Sequence, residues 1–321
     1  MTEQRFRGRA FGVVVESRTP LPGLIADTNG TEARLVEWQA VEGELAVGGL
    51  AEPEALVDRR HPDGRPFMSI EHDPDLGYRI AAPGFGTHLV ADDGALIRSS
   101  LLPETGDVWQ RLFFAQALPL AAALNGFALF HASAVVIEGH AHAFVGLSGS
   151  GKSSIAARLV ARGARMLTDD VLALEPADGE VRAHAGPARI SIERSELDGL
   201  GADERERLGE PLETPTEDGK IQLETRPEAG PVPLGGLFLL SRSSEGGVAV
   251  KRDPENRTQS LLAAAFLGYL MLPSRLALHL EVCARIAASI PTFLVEIGEG
   301  AGAGEVAETI EHLVKPIGAH P

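Results

Sequence analysis

The chain holds one cysteine, Cys283, in 321 residues. A single thiol excludes an intrachain disulfide and argues against a cysteine-based metal site, which fits a reducing cytoplasm. Set in the apolar pattern Leu280 to Ala284, Cys283 reads as a buried structural thiol rather than a nucleophile. Cationic runs are missing too. Lys and Arg number 29 against 45 Asp and Glu, for a formal charge of −16, and the arginines are scattered. That balance excludes nucleic acid as the expected partner, because the average surface repels a phosphate backbone. Nor is there a hydrophobic run fit to span a bilayer. Leu112 to Phe130 comes nearest, but Gln116, Pro119 and Asn125 interrupt it and Gln110 and Arg111 precede it, so a buried helix is expected. Met1 to Phe6 lacks the basic start and apolar core of a signal peptide. The expectation is a soluble, cytoplasmic protein with no membrane partner. What remains is ordinary globular composition, 44% hydrophobic and 23% charged, at a length that allows two domains.

No internal repeat is visible, but the character of the chain changes part-way along. Residues 1–105 read as a small β-rich domain of short strands, with candidates at Phe11–Ser17, Arg34–Trp38, Met68–His72 and His88–Ala91, each bounded by Pro, Gly or Asp. Residues 106–126 read as a connecting helix, capped by Asp107 and ended by Asn125-Gly126. Residues 127–321 read as an α/β domain. It opens with a strand at Phe127–Ile137, a turn at Glu138-Gly139-His140 and a second strand ending at Ala143-Phe144-Val145. Further on, strands are expected at Arg165–Thr168, Val171–Leu174, Leu234–Leu240 and Pro291–Ile297. Helices are expected at Gln259–Leu270, Leu276–Ala287 and Gly304–Lys315. Arg194 to Pro233, rich in Glu, Asp, Gly and Pro, reads as a mobile loop with one helix near Asp203–Leu208. Gly298 to Gly304 reads as a flexible turn, since it has no Gly-Lys-Ser/Thr ending.

Gly146-Leu147-Ser148-Gly149-Ser150-Gly151-Lys152-Ser153 is a complete G-x-x-x-x-G-K-S/T phosphate-binding loop. A strand precedes it, and a helix from Lys152 to Arg162, stopped by Gly163, follows it. That context gives the motif its mechanism. Glycines let the backbone curl so that Gly146, Ser148, Gly149, Ser150, Gly151, Lys152, Ser153 and Ser154 surround an anion at the positive end of the helix. Lys152 would reach the β- and γ-phosphates of ATP, and the Ser153 hydroxyl would ligate Mg²⁺.

Two further features bear on what is done with the nucleotide. Asp169-Asp170 begins seventeen residues after Lys152, at the carboxyl end of a strand expected to neighbour the loop strand in an open parallel sheet. One carboxylate could hold Mg²⁺ and the other accept a proton from an attacking hydroxyl. His131 lies fifteen residues before Gly146, on the strand Ala128 to Ala134.

His131, the Gly146–Ser153 loop, and Arg162-Gly163-Ala164-Arg165 followed by Asp169-Asp170 together resemble the catalytic domain of bacterial HPr kinase/phosphorylase. The resemblance implies the P-loop nucleotide fold shared with phosphoenolpyruvate carboxykinase. It also implies ATP- and Mg²⁺-dependent phosphorylation of a serine hydroxyl on a peptide or protein acceptor. By the same resemblance Asp169 is the general base, His131 and Asp170 support it, and Ser153 and Asp170 place the metal. The pattern departs at Ser154, where the HPr enzymes usually carry glutamate, and their long downstream signature is missing. The Pro20-Leu21-Pro22 turn and His131-Ala132-Ser133-Ala134-Val135 resemble a looser HPr-kinase-like group, some of whose members phosphorylate a serine of ribosomally made precursor peptides, including lasso peptides. A kinase for a small hydroxyl-bearing metabolite and a nucleotide-dependent switch that transfers nothing are the competing readings. Lys220, Arg252 and Arg257 are candidate substrate contacts, and a homo-oligomer is compatible with the sequence.

Overall fold

The computed structural model describes residues 4–27, 34–43, 45, 53–101, 103–212, 219–253 and 258–315, so Arg257 lies outside the described residues. It is a mixed α/β structure that divides into two compact units. No helix among the described residues is long and apolar enough to cross a membrane.

The first unit comprises residues 1–127 with 267–275. Its strands are β1 (Phe6–Ala10), β2 (Val13–Ser17), β3 (Ile25–Ala26), β4 (Leu35–Val41), β5 (Glu54–Arg60), β6 (Pro66–Asp73), β7 (Gly77–Ala82), β8 (Gly86–Val90) and β9 (Leu96–Ser100). They form one sheet in the order β3-β1-β2-β4-β9-β8-β7-β6-β5. Trp38 of β4 stacks on Trp109 with ring centroids 5.4 Å apart, and its indole N–H donates to Ser99 Oγ at 3.0 Å. Ser99 also meets His88 Nδ1 at 2.7 Å, and burial pushes the His88 imidazole down to about 3.

The segment after β9 departs from the single capped helix expected. A 3₁₀ stretch, Pro103–Val108, leads into α1 (Trp109–Leu112), which has no side-chain cap, so Asp107 does not start it. A π turn, Phe113–Ala117, then joins α1 to α2 (Leu118–Leu124). Pro119 explains the break. It has no N–H for the Ala115 carbonyl and its ring crowds that group, so the ladder loosens before it and Leu118 N–H reaches back to Phe113 O.

The second unit comprises residues 128–266 with 276–321. Its strands are β10 (Ala128–Ile137), β11 (His140–Val145), β12 (Arg165–Thr168), β13 (Val171–Ala177), β14 (Glu180–His184), β15 (Arg189–Glu193), β16 (Glu210–Pro211), β17 (Lys220–Glu224), β18 (Val232–Gly246), β19 (Val248–Arg252) and β20 (Thr292–Glu299). Its helices are α3 (Lys152–Ala161), α4 (Arg194–Asp198), α5 (Ala202–Leu208), α6 (Thr258–Ala263), α7 (Pro273–Ser289) and α8 (Ala303–Val314), α7 being the one that crosses the boundary between units. The Glu138-Gly139 turn, with φ of 49° and 75°, makes β10 and β11 a two-residue hairpin. β11 runs parallel to β18, and β18 parallel to β20. Because β13 and β14 link β10 back to the start of β18, the pairings β11-β10-β13-β14-β18-β11 close on themselves. The sheet is therefore mixed rather than open and parallel. β12 does not neighbour β11, since β10 lies between them and runs antiparallel to both. That arrangement still points the carboxyl ends of β11 and β12 the same way.

α3 and α8 cover one face of this sheet. Ile155, Leu159 and Ile310 pack there with Phe144, Phe238 and Ile297, all fully buried. Each such side chain contributes about 1.5–3 kcal/mol of burial. The stretch expected as a mobile loop, 194–233, carries α4, α5 and two strands, β16 and β17, that form a small sheet with β15 just before it, apart from 213–218, which lie outside the described residues. Leu200, Leu208 and Leu223 anchor it in the same core, a long-range packing that its polar composition conceals. α6 ends at Ala263 rather than Leu270, where the chain turns extended to pair Ala265 with Phe130. Cys283 is buried, and burial raises its thiol to about 11, as suits an unreactive residue.

Candidate active site

The loop between Val145 and Lys152 is shaped around its own interior. Gly149 and Gly151 have φ of 78° and 100°, backbone that other residues adopt only under strain. Gly146 has no room for a side chain, since a Cβ there would sit 2.6 Å from Ser150 Oγ and 2.9 Å from Leu240 O. Ser150 is buried, and its Oγ has no hydrogen-bond partner. α3 begins at Lys152 with no side-chain cap, which leaves its first backbone N–H groups to the loop. Lys152 is buried as well. Its ammonium donates to Gly146 O at 2.9 Å and Leu147 O at 3.2 Å. Burial lowers its pKa; the Asp170 and Asp169 charges oppose that fall, and Lys220 adds to it. Ser148 is exposed at the loop tip, while Ser153 and Ser154 are half-buried in the first turn of α3.

The acid pair stands in a tight turn after β12. Asp170 has φ of 74°, and Val171 N–H closes back on Asp169 O at 3.0 Å, a positive-φ γ-turn of the strained kind. The two carboxylates therefore point to different surroundings. Asp169 is half-buried. It accepts from Ser133 Oγ at 2.9 Å through Oδ1 and from Ser191 N–H at 3.0 Å through Oδ2, and the Ser153 hydroxyl lies near enough to favour its charged form. Burial raises its pKa above the usual carboxylate range. The Ser153 and Ser191 donors pull it down, Asp170 pushes it up, and Ser133 lowers it. Asp170 is exposed. His131 Nδ1 lies 3.0 Å from the Asp170 carbonyl oxygen and 3.1 Å from its carboxylate Oδ1. Both are acceptors, so Nδ1 carries a proton. Phe266 lies parallel to the imidazole, with centroids 6.5 Å apart.

His131, Lys152, Ser153, Asp169 and Asp170 are thus brought together. Lys220, at the start of β17, is near enough for its charge to reach Lys152. Arg252 is not brought in: it pairs with Phe293 on the edge strand β19, away from the carboxyl ends of β11 and β18. Ser133 and Ser191 escaped the sequence reading. Ser133 was legible in principle, because it stands two residues after His131 and a strand puts both on one face. Ser191 comes from a strand paired only with distant sequence, and nothing local marks it.

The donors here are oxygens, from Ser153 and the two aspartates, which suits a hard cation such as Mg²⁺. Among the described residues no group of three or more His, Cys, Asp or Glu could hold a metal by itself. A nucleotide-bound Mg²⁺ needs no such cage, since phosphate and water complete its shell.

No family model matches the chain, and no curated protein matches it. Among solved structures it is similar to the Hpr(Ser) kinase/phosphatase from Coxiella burnetii, at 15% identity and a TM-score of 0.31, over 58% of this chain and 93% of that one.

Proposed function

We propose that the protein is an ATP- and Mg²⁺-dependent kinase that transfers the γ-phosphoryl group to a serine hydroxyl of a peptide or protein acceptor. The observation that carries this reading is the approach of Ser153, at the end of the phosphate loop, to Asp169 of the acid pair, near enough for its hydroxyl to favour the charged carboxylate. It couples an anion cradle to a carboxylate whose pKa is raised, in one small volume.

An ionised carboxylate offers about four lone-pair sites, and Ser133 and Ser191 take two of Asp169's, which leaves room for an acceptor hydroxyl. Asp169 takes the acceptor proton as the new O–P bond forms. The bond to the β-phosphate breaks, and ADP leaves. Lys152 and the amides from Gly149 to Ser153 hold the phosphate chain in line. Phosphoryl transfer asks the protein mainly for this positioning and charge neutralisation. Ser153 and Asp170 would hold Mg²⁺, which would supply charge neutralisation for the phosphates. His131 fixes Asp170 through Nδ1.

The test is incubation with ATP, Mg²⁺ and a panel of serine peptides, lasso precursors among them, read by intact mass. A gain of about 80 Da on a peptide, lost when its serine becomes alanine, supports the reading. ATP turnover with no peptide modified would shift the acceptor to a small hydroxyl-bearing molecule. Binding with neither turnover nor transfer would leave a nucleotide-gated switch.

A further inference from the structure

Arg242 belongs to none of the motifs that mark this site, yet the fold delivers it there. β18 alternates Phe238, Leu240 and Arg242 onto one face, and the first two lie in the core under α3. Arg242 continues that stripe past the carboxyl end of β11, opposite Ile297, itself a core residue of the same face. Because β18 runs parallel to β11, with Val145 opposite Leu239, the residues that follow Leu239 lie beside the phosphate loop. Arg242 Nη2 comes 3.5 Å from the point a Cβ on Gly151 would occupy, at the start of α3.

This is a costly place for an unneutralised cation. The amino end of α3 carries partial positive charge, and Lys152 adds a full one. Arg242 is exposed and makes no hydrogen bond or ion pair among the described residues, in a chain with sixteen more formal negative than positive charges. Acidic residues are plentiful, and none is placed against it. The buried Ser150 Oγ inside the same loop also lacks a partner. An orphaned hydroxyl donor and an unpartnered guanidinium, both beside uncapped helix amides, call for an anion with several oxygens.

We propose that Arg242 is a substrate-binding residue that grips the phosphate chain of a nucleoside di- or triphosphate, reaching over Gly151 from the end of β18. The proposal rests on the nucleotide reading above and adds to it a cation outside the loop motif. A guanidinium can bridge two phosphate oxygens in a fork that an ammonium cannot copy.

The experiment is calorimetric titration of the full chain with ADP and with MgATP, for wild type, Arg242→Ala, Arg242→Lys and Arg252→Ala. Hydrogen bonds to charged groups predict a loss of roughly 10- to 100-fold in affinity for both nucleotides in Arg242→Ala. Arg242→Lys should recover part of the loss, and Arg252→Ala should bind as wild type does. Melting of Arg242→Ala without ligand should match wild type, since the side chain supports no contact of the fold. Affinities within twofold of wild type in Arg242→Ala would overturn the proposal and leave the nucleotide site standing. A wild type that binds neither nucleotide would overturn both.

Discussion

Replacing Asp169 by Asn changes one atom and removes one charge from the middle of the candidate site. Asp169 accepts from the Ser133 hydroxyl, which can accept as well as donate, and from Ser191 N–H, which can only donate. The amide can therefore turn its oxygen to Ser191 and its NH₂ to a serine, and the local structure should persist. What is lost is the lone pair that takes the acceptor proton. General-base catalysis contributes about 10²- to 10⁴-fold, or ~3–5 kcal/mol at 1.36 kcal/mol per decade, so transfer should fall by that factor while MgATP affinity stays within a few-fold. The pH profile supplies a second reading. Burial raises the Asp169 pKa above 3.8, so wild-type activity should rise through a limb displaced upward from that value, and the limb should vanish in the variant. Stability should shift the opposite way. A carboxyl whose folded pKa is raised binds its proton more tightly in the native state, so wild type loses stability as pH climbs from 3.8 through the folded value. Asp169→Asn, having nothing to ionise, should gain on wild type across that window and hold a constant advantage above it. Peptide transfer by mass and urea unfolding from pH 3 to 8 measure both effects. Unchanged turnover in the variant would refute the general-base assignment.

Lys152→Met should lower MgATP affinity by roughly 10- to 100-fold on titration while leaving the unliganded protein as stable as wild type or more so, because burial disfavours the ammonium that is removed. Gly146→Ala forces a Cβ against Ser150 Oγ and Leu240 O; overpacking of that kind costs about 1–3 kcal/mol, read as a lower urea midpoint together with weaker nucleotide binding. His88, held near 3 by burial, stabilises the native state fully above pH 6.5 and less as pH falls below it, by up to about 1.4 kcal/mol per unit. His88→Asn should flatten that slope in urea midpoints taken between pH 7 and 4, and an unchanged slope would contradict the burial argument.

How far the sequence could be read depended on how local each signal was. The phosphate loop, its flanking strand and helix, and the acid pair are short-range patterns, and β11, α3 and β12 appear where glycine chemistry and apolar runs put them. The 194–233 stretch misled because its order is borrowed from elsewhere. β17 pairs with β15, which precedes the stretch, and Leu200, Leu208 and Leu223 pack in the core under α3. Arg242 was hidden for the same reason. In sequence it is an arginine among serines, and only the parallel pairing of β18 with β11 turns it toward the loop. The expected open parallel sheet failed at β10, which lies between β11 and β12, and at β13, β14 and β19, which also pair antiparallel. The Glu138-Gly139-His140 turn signals the reversal from β10 to β11, but no local pattern shows that β12 pairs with β10 rather than with β11.

That antiparallel strand organises the site. β10 pairs Ala132 with Val145, one residue before the phosphate loop, and Ala134 with Thr168, one residue before the acid pair. Its amino-terminal half pairs His131 with Val171, just beyond them. One strand thus fixes the spacing of loop and carboxylates at two inter-strand steps, about 9–10 Å. Its alternation supplies His131 to Asp170 and Ser133 to Asp169 from the same face. From the loop side, the first turn of α3 brings the Ser153 hydroxyl near enough to favour the charged form of Asp169. A slip of one residue in β10 would carry His131 and Ser133 to the opposite face and undo both contacts at once. The heavily buried run from Ala128 to Ile137, broken only at half-exposed His131, is what forbids that slip. Packing of the core and placement of the proton-handling groups are therefore specified by the same ten residues.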